Sequence, residues 1–229
     1  MEERKHIVIL AAGDFPTHEV PLRALREADF VVCCDSAYSS LISHHSSPST
    51  HHSSPITHHS SPITNLIVIG DGDSLSDSDK RALGDRWLHV AEQDYNDLHK
   101  ALQWATSKFK IQNSKFKILG ATGRREDHTL GNISYLVTFA EEHPGIDIEM
   151  LTDHGRFIAF SGGRTIETFP GQQVSVFSMD PCQAIYGSGL KWKLDGLKAR
   201  RWWQATLNEA LADSVELRSE GWLMVFLKY

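Results

Sequence analysis

The stretch Leu66-Ile67-Val68-Ile69-Gly70-Asp71-Gly72-Asp73-Ser74 joins four β-favouring apolar residues to a turn carrying two carboxylates. A short apolar run bounded by turn residues reads as a strand buried on both faces. Further runs of this kind lie at 6–12, 30–34, 87–90, 116–119 and 146–151. Most are followed by acid. Asp14 follows the first and Asp35 the second, Asp94 and Asp97 follow 87–90, and a glycine-rich turn ending in Asp127 follows 116–119. Between the runs the period changes. Leu98, Ala101, Leu102 and Ala105 recur at helical spacing, as do Ile133, Leu136, Val137 and Ala140 within 131–142. Strands alternating with helices predict an α/β domain over residues 1–153, a mostly parallel sheet flanked by helices. From 156 onward the runs are short and alternating, at 164–169, 172–178, 215–218 and 223–227, divided by Gly, Pro and Asp. No helical pattern interrupts them, so residues 155–229 are expected to form a small all-β sandwich domain.

The chain has 229 residues, enough to bury a core in each of two such domains. Its 29 acidic and 23 basic residues give a net charge of −6, which disfavours a nonspecific nucleic-acid binder. The apolar run at 7–12 is too short for a secretory signal or a membrane span, so no membrane association is expected. Cys33 and Cys34 are adjacent and Cys182 is remote, a spacing that makes neither a disulfide framework nor a zinc site. These features predict a reduced, cytoplasmic protein. Two duplications interrupt the pattern. Residues 44–64 are three tandem heptapeptides, HHSSPST, HHSSPIT and HHSSPIT, too polar to bury themselves and read as a mobile surface loop. Their six histidines could collect a metal, but a tolerated loop insertion needs no such role. SKFKIQN followed by SKFKI, over 107–118, reads as a lengthened helix-to-strand connection.

In an open parallel sheet the carboxyl ends of the strands share one edge, where such folds bind ligands. Carboxylates distant in sequence then converge on one crevice, and they repel one another unless a cation sits among them. Asp71 and Asp73, two apart in an extended turn, can present both carboxylates to one ion. Sparse oxygen ligands with room for water and phosphate suit Mg2+. Asp94 reads as the N-cap of the next helix, with Asp97 and Lys100 following on one stripe. Asp97 would face metal and Lys100 would meet phosphate as a point charge, although capping plus a surface ion pair explains the same residues without a ligand. Gly120-Ala121-Thr122-Gly123-Arg124-Arg125-Glu126-Asp127-His128 lies between a strand and a helix. Its glycines let backbone N–H groups approach phosphate at a helix N-terminus. Arg125 offers a planar fork for an anion, and Asp127 and His128 are candidate proton acceptors. Neither a Walker A loop nor a complete dinucleotide fingerprint is present.

Taken in order, these segments resemble the thiamine pyrophosphokinase family. That family carries a G-D-x-D-S turn, a D-x-x-(T/S)-D-x-x-K segment and a G-x-x-G-G-R-x-D-(H/Q) loop, matched here by residues 70–74, 94–100 and 120–128. Asp35-Ser36-Ala37 stands where the family has Asp-Gly-Gly. Gly189-Leu190-Lys191-Trp192 resembles its G-L-K-(Y/W) segment, and Thr206-Leu207-Asn208-Glu209 resembles its T-S-N-E turn. Arg124 replaces the second glycine of a pair, Asn96 a hydroxyl residue and Leu207 a serine.

The resemblance implies transfer of the β,γ-diphosphoryl unit of ATP to the hydroxyethyl group of thiamine, giving thiamine diphosphate and AMP. It implies Mg2+ held by Asp71, Asp73 and Asp97. Asp127 would orient or deprotonate the thiamine hydroxyl, or share in metal binding, while Lys100 and Arg125 steady the phosphates. Gly120 and Gly123 would supply backbone donors, with Asp35, Ser74, Asp94 and His128 on the nucleotide side. The resemblance also implies a homodimer, with thiamine between the first domain of one subunit and the β domain of its partner. Trp192, Thr206 and Asn208 would form the thiamine-side wall. Two other readings stay open: a pyrophosphokinase for another primary alcohol such as a hydroxymethylpterin, and a noncatalytic thiamine or nucleotide sensor.

Overall fold

Successive residues of a strand face opposite ways, so a run buried on both faces needs a helix layer on each side. The computed structural model, which describes residues 4–46 and 65–229, supplies both layers. Strands β1 (Lys5–Leu10), β2 (Phe30–Cys34), β3 (Leu66–Gly70), β4 (Trp87–His89), β5 (Ser114–Leu119) and β6 (Asp147–Leu151) are parallel, in the order β4-β3-β2-β1-β5-β6. Helices α1 (Glu19–Arg26), α2 (Ala37–Ser46), α3 (Asp77–Leu83), α4 (Asp97–Lys108) and α5 (Glu126–Glu142) connect them. On one face Ile7, Ile9, Val32, Ile69 and Phe116 pack on Leu98 and Leu102 of α4 and Leu136 and Phe139 of α5. On the other, Val8, Leu10, Val31 and Val68 pack on Leu25 of α1 and Tyr38 and Leu41 of α2. Each such side chain, fully buried, contributes about 1.5–3 kcal/mol.

Chain order reverses at β1, which lies between β2 and β5. Leu10 is level with Cys33 and Leu119, and Cys34 with Ile69. The loops leaving β1, β2, β3 and β5 therefore emerge side by side along one edge, where ligands bind in sheets of this kind.

The C-terminal part is a smaller β-rich domain of β7 (Gly155–Glu167), β8 (Gln173–Ser178), β9 (Tyr186–Ser188), β10 (Asn208–Glu209) and β11 (Ser214–Lys228). β7 runs antiparallel to β6, so the sheet continues from one half of the chain into the other. The runs at 215–218 and 223–227 are one strand rather than two. β11 pairs with β7 along its length, with a register shift between Ser219 and Leu223. Before the shift β11 also pairs with β9, and after it with β8. Val215 and Leu217 from the first part pack with Val174, Val176 and Val225 from the second, so two long strands bent at a bulge furnish both layers.

Context overrides local sequence in the SKFKI duplication. The first copy ends α4 and enters a 3-10 turn (Ile111–Asn113), whereas the second copy is β5 itself. The difference lies in what covers each: Phe109 packs against Phe30 and Trp104, while Phe116 sits fully buried between strands. Residues 44–46 close α2, and the rest of the heptapeptide segment, with the loop and metal readings attached to it, lies outside the described residues. The junction between the halves is tied down by Asp153. Its carboxylate accepts bonds from the N–H of Thr17 (2.9 Å), Thr17 Oγ1 (2.5 Å) and the N–H of His18 (3.0 Å). The ring of Tyr229 stacks on His18 with centroids 4.8 Å apart.

Candidate active site

The loops after β1 and β5 are zipped together where the sheet order reverses. The N–H of Gly13 donates to the Gly120 carbonyl at 2.6 Å and that of Asp14 to the Thr122 carbonyl at 2.9 Å. A Cβ on Gly13 would lie 2.5 Å from the Gly120 oxygen and nearer still to that of Thr122, so only glycine allows this approach. Gly123, at φ +80°, turns against the Asp14 carboxylate in the same way. Beside these loops opens a cleft of about 320 Å³. Of the residues expected at a site, Asp35, Ser74, Asp97, Gly123, Arg125 and His128 line it. A cleft of about 440 Å³ in the β domain, between Arg164, Tyr186 and Arg218, contains none of them.

Asp35 is buried at φ +24°, its Oδ2 accepting the Ser74 N–H at 3.0 Å and its Oδ1 left, among the described residues, without a partner. Ser74 thus contributes its backbone, tying the acidic turn to Asp35. A Cβ built on Gly70 would lie 2.8 Å from Asp35 Cβ and 3.3 Å from Asp97 Oδ2, which places both acids around that glycine. Asp97 opens α4, with Oδ1 3.6 Å from Lys100 Nζ. Lys100 is buried and donates to the Val90 carbonyl at 3.3 Å. Burial pushes the Asp97 carboxyl above its usual range, Lys100 opposes this, and Asp35 and Asp71 add to it. Asp71 is pulled down by the Gln93 amide at 3.1 Å, then by the Asp73 N–H, with Lys100 assisting. Asp73 is exposed, and it is its backbone that touches Asp71.

Asp94 does not cap α4. Asn96 does, its Oδ1 accepting the His99 N–H at 2.9 Å, because the helix begins one residue later, at Asp97, leaving Asp94 exposed in the preceding turn. Asn132 lies outside every motif of the sequence, although an amide beside the apolar stripe of α5 marks a position with a partner to find. It is buried, donates to the Ala121 carbonyl at 2.8 Å and accepts from Asn96 at 3.1 Å, joining α4, α5 and the loop after β5 at the cleft floor.

α5 starts at Glu126, five residues before the expected segment, which puts Asp127 and His128 in its first turn. Arg125 closes on Asp127 through two bonds, Nε to Oδ1 at 3.0 Å and Nη2 to Oδ2 at 2.5 Å. That pairing holds the Asp127 carboxyl down at about 2.

Among the described residues no three His, Cys, Asp or Glu side chains stand close enough to enclose an ion as a ready-made set. Mg2+, however, keeps several waters and needs only one or two carboxylates beside substrate phosphates. The unpartnered, buried Oδ1 of Asp35 next to Asp97 and Asp71 fits such a cation.

The residues expected on the thiamine side are elsewhere. Trp192 is half exposed, with Lys191 Nζ 5.0 Å from its ring centre. Asn208 is buried, accepting the Trp192 N–H at 3.1 Å and donating to the Trp192 carbonyl at 2.7 Å, so its amide holds the tryptophan backbone. Thr206 Oγ1 donates to the Trp203 carbonyl at 2.9 Å. β10, which carries Asn208, is five strand spacings from β5. None of Trp192, Thr206 and Asn208 is among the residues that line the cleft.

Comparison with known proteins agrees with this layout. A solved structure of thiamin pyrophosphokinase from Candida albicans shares the fold, with a TM-score of 0.75 over 97% of this chain and 90% of that one at 16% identity. Thiamine pyrophosphokinase of Bacillus subtilis is 44% identical over 73 residues, 30% of this chain and 33% of that protein. Thiamin pyrophosphokinase 1 of Caenorhabditis elegans is 32% identical over 80 residues, 33% of this chain and 32% of the relative. The chain thus matches about a third of the length of these curated relatives. The family models reach further. That for the catalytic domain of thiamin pyrophosphokinase matches residues 22–150, and that for its substrate-binding domain matches 155–226. Together they run in order through the parallel strands and then the β-rich half, and on that ground the chain belongs to the thiamin pyrophosphokinase family.

Proposed function

We propose that the protein transfers the β,γ-diphosphoryl unit of ATP to thiamine, forming thiamine diphosphate and AMP. The observation that carries this reading is the convergence of Asp35 and Asp71 on Asp97, which Lys100 faces at 3.6 Å, at the carboxyl edge of the parallel strands. Such a group of carboxylates is costly without a cation, and a nucleotide bound with its metal supplies one. Asp71, Asp73 and Asp97 are the residues that would hold Mg2+, with the Oδ1 of Asp35 beside Asp97 and the exposed Asp73 side chain turning in to join them. When bound, Mg2+ neutralises charge on the phosphate oxygens.

The chain's own groups do the rest. In the transfer, the thiamine hydroxyl oxygen forms a bond to the β-phosphorus while the bond from that phosphorus to the oxygen bridging the α-phosphate breaks; AMP leaves with the electron pair, and the hydroxyl proton passes to water as the new bond completes. Lys100, anchored at the Val90 carbonyl, holds a positive charge facing the acidic side of the cleft. Gly120 and Gly123 keep the loop close enough for backbone N–H groups to reach phosphate oxygens. Asp127 is held ionised by the two bonds from Arg125. It orients the hydroxyl by accepting its hydrogen bond. Trp192 and Thr206, with Asn208 fixing the tryptophan backbone, form the thiamine wall, which requires the β domain of a second copy at the cleft of the first. We place the reaction in the cytoplasm, where the free Cys33, Cys34 and Cys182 stay reduced. Among the described residues no helix is long and apolar enough to cross a membrane.

The test is AMP release from ATP and Mg2+ with and without thiamine. Thiamine-dependent AMP with thiamine diphosphate as co-product is the expected result. ADP as product, or AMP formed only with another primary alcohol, would overturn the reading, as would thiamine binding without turnover.

A further inference from the structure

Arg124 stands where the resembling pattern has glycine, and its backbone still has a glycine's conformation. Its φ is +51°, in the left-handed region, which disfavours any residue bearing a Cβ. Strain of this kind persists where the surroundings enforce it and clusters at ligand sites. The side chain lines the cleft beside Gly13 and Gly123. Nη1 donates to the Ala12 carbonyl at 3.0 Å, and Nε lies 3.9 Å from Asp14 Oδ1, at the long limit of an ion pair. Both side chains are more than half exposed.

A guanidinium has five N–H donors in a rigid fork. Among the described residues that of Arg124 makes one hydrogen bond, whereas the fork of Arg125 is closed on Asp127. The bond to Ala12 is not needed to hold the two loops together, because the Gly13–Gly120 and Asp14–Thr122 backbone bonds already do so. Among the residues lining the cleft, the acids Asp35 and Asp97 lie toward β2, β3 and α4, while Arg124, Arg125 and His128 lie on the loop and helix after β5, where Asp127 closes on Arg125 and Asp14 stands 3.9 Å from Arg124. A polyanion that carries a metal meets its metal on the acidic side and needs positive charge on the other.

We propose that Arg124 is an additional phosphate-binding residue of this chain, gripping the polyphosphate of the nucleotide and making the cleft discriminate by phosphate number. This rests on the nucleotide-dependent reading above. Arg124→Gly removes the fork and relieves the backbone, so it separates binding from structure. Binding of ATP, ADP and AMP with Mg2+ would be measured by calorimetry, along with the melting temperature and the KM for thiamine, for the parent, Arg124→Gly and Arg124→Lys.

The expected result for Arg124→Gly is an unchanged or raised melting temperature, about tenfold or greater weakening for ATP, and less than about twofold for AMP. Arg124→Lys restores part of the loss, since an ammonium keeps charge but not the fork, and the thiamine KM stays within about twofold. Unchanged ATP binding overturns the proposal, and so does equal weakening of ATP and AMP with a lowered melting temperature, the signature of a loop brace. The two readings fail separately. Lost ATP discrimination in a protein that makes no thiamine-dependent AMP keeps this proposal and refutes the reaction, whereas normal AMP formation with unchanged binding in Arg124→Gly does the reverse.

Discussion

Gly13→Ala tests whether the cleft depends on two loops held at backbone contact. The new Cβ would meet the Gly120 oxygen at 2.5 Å, the Thr122 nitrogen at 3.1 Å and the Thr122 oxygen closer than either. All three are backbone atoms, so no side chain can rotate away, and reaching ordinary contact at 3.4 Å needs the loops to part by nearly an ångström. That gap is also spanned by the Gly13–Gly120 and Asp14–Thr122 hydrogen bonds, at 2.6 and 2.9 Å, and both would be stretched. Overpacking costs ~1–3 kcal/mol, and each weakened bond up to ~0.5–1.5 kcal/mol. The φ of Gly13 is not positive, so alanine is conformationally acceptable and recovers ~0.4–1 kcal/mol through the unfolded chain. The net expectation is a loss of about 3 kcal/mol, or ~1 M in the urea midpoint for a slope near 3 kcal/mol/M. Nucleotide affinity should fall with it. Gly131→Ala is the control: Gly131 lies inside α5, and nothing is within 4 Å of its Cβ position. It should gain up to ~1 kcal/mol. A Gly13→Ala variant within ~0.5 kcal/mol of the parent would refute the loop-contact argument.

Three further outcomes follow from the site. Asp97, with its carboxyl raised chiefly by burial, contributes stability below the usual carboxylate range and loses it as pH rises through its folded value. Asp97→Asn without Mg2+ at neutral pH should therefore gain about 1 kcal/mol, melting ~2–4 °C higher while losing turnover; a lower melting temperature contradicts this. Lys100→Met leaves the partly buried Asp97 without its counter-charge and the Val90 carbonyl without its donor, and should cost ~1–3 kcal/mol. Titrated Mg2+ should then raise its melting temperature more than the parent's, and an equal rise would show that Lys100 and the ion do not share the acidic cluster. Asp153 has the opposite sign: burial raises its carboxyl, but the bonds from Thr17 and His18 carry it below the ordinary value. Its contribution is present above the ordinary carboxylate range and lost as pH falls through the depressed value, so the parent's advantage over Asp153→Asn should be constant near neutrality and shrink below about pH 4. An advantage still undiminished near pH 2 would show that the carboxylate is not the source.

The parallel strands and their edge of carboxylates were legible because burial on both faces leaves a continuous apolar run, and because acid follows most of these runs at the point where the chain must turn. Helix starts were less legible. Asp94 and Asn96 are both good capping residues, and which of them caps α4 depends on where Leu98 and Leu102 must sit against the sheet. The SKFKI pair shows the same limit, with one pentapeptide in two conformations set by tertiary cover. The bulge in β11 was hidden because Ser219-Glu220-Gly221-Trp222 has the composition of a turn, yet Met224 and Phe226 resume pairing with β7 beyond it. The Arg125–Asp127 pair is invisible to spacing arguments, since residues two apart in a strand-to-helix turn face each other only once the turn's dihedral angles are known.

Among the described residues, those other than glycine with positive φ are Asp35, Arg124 and Leu207, at +24°, +51° and +58°. Each falls in a segment expected to meet a ligand, although only the first two lie in the same cleft. The turn at Asp35 aims its carboxylate back beneath β3 to the Ser74 N–H. The turn at Arg124 sends a cation along the opposite wall. Leu207 is 67% exposed, its N–H held by Ser175 Oγ at 3.0 Å, directly before the asparagine that fixes Trp192. A large apolar side chain kept in solvent on a disfavoured backbone contributes nothing to the stability of a single copy. It stands beside the asparagine that holds Trp192, in the second segment that the reaction proposed above would use, and no residue of that segment lines the cleft; the two-copy arrangement of that proposal is what would join them.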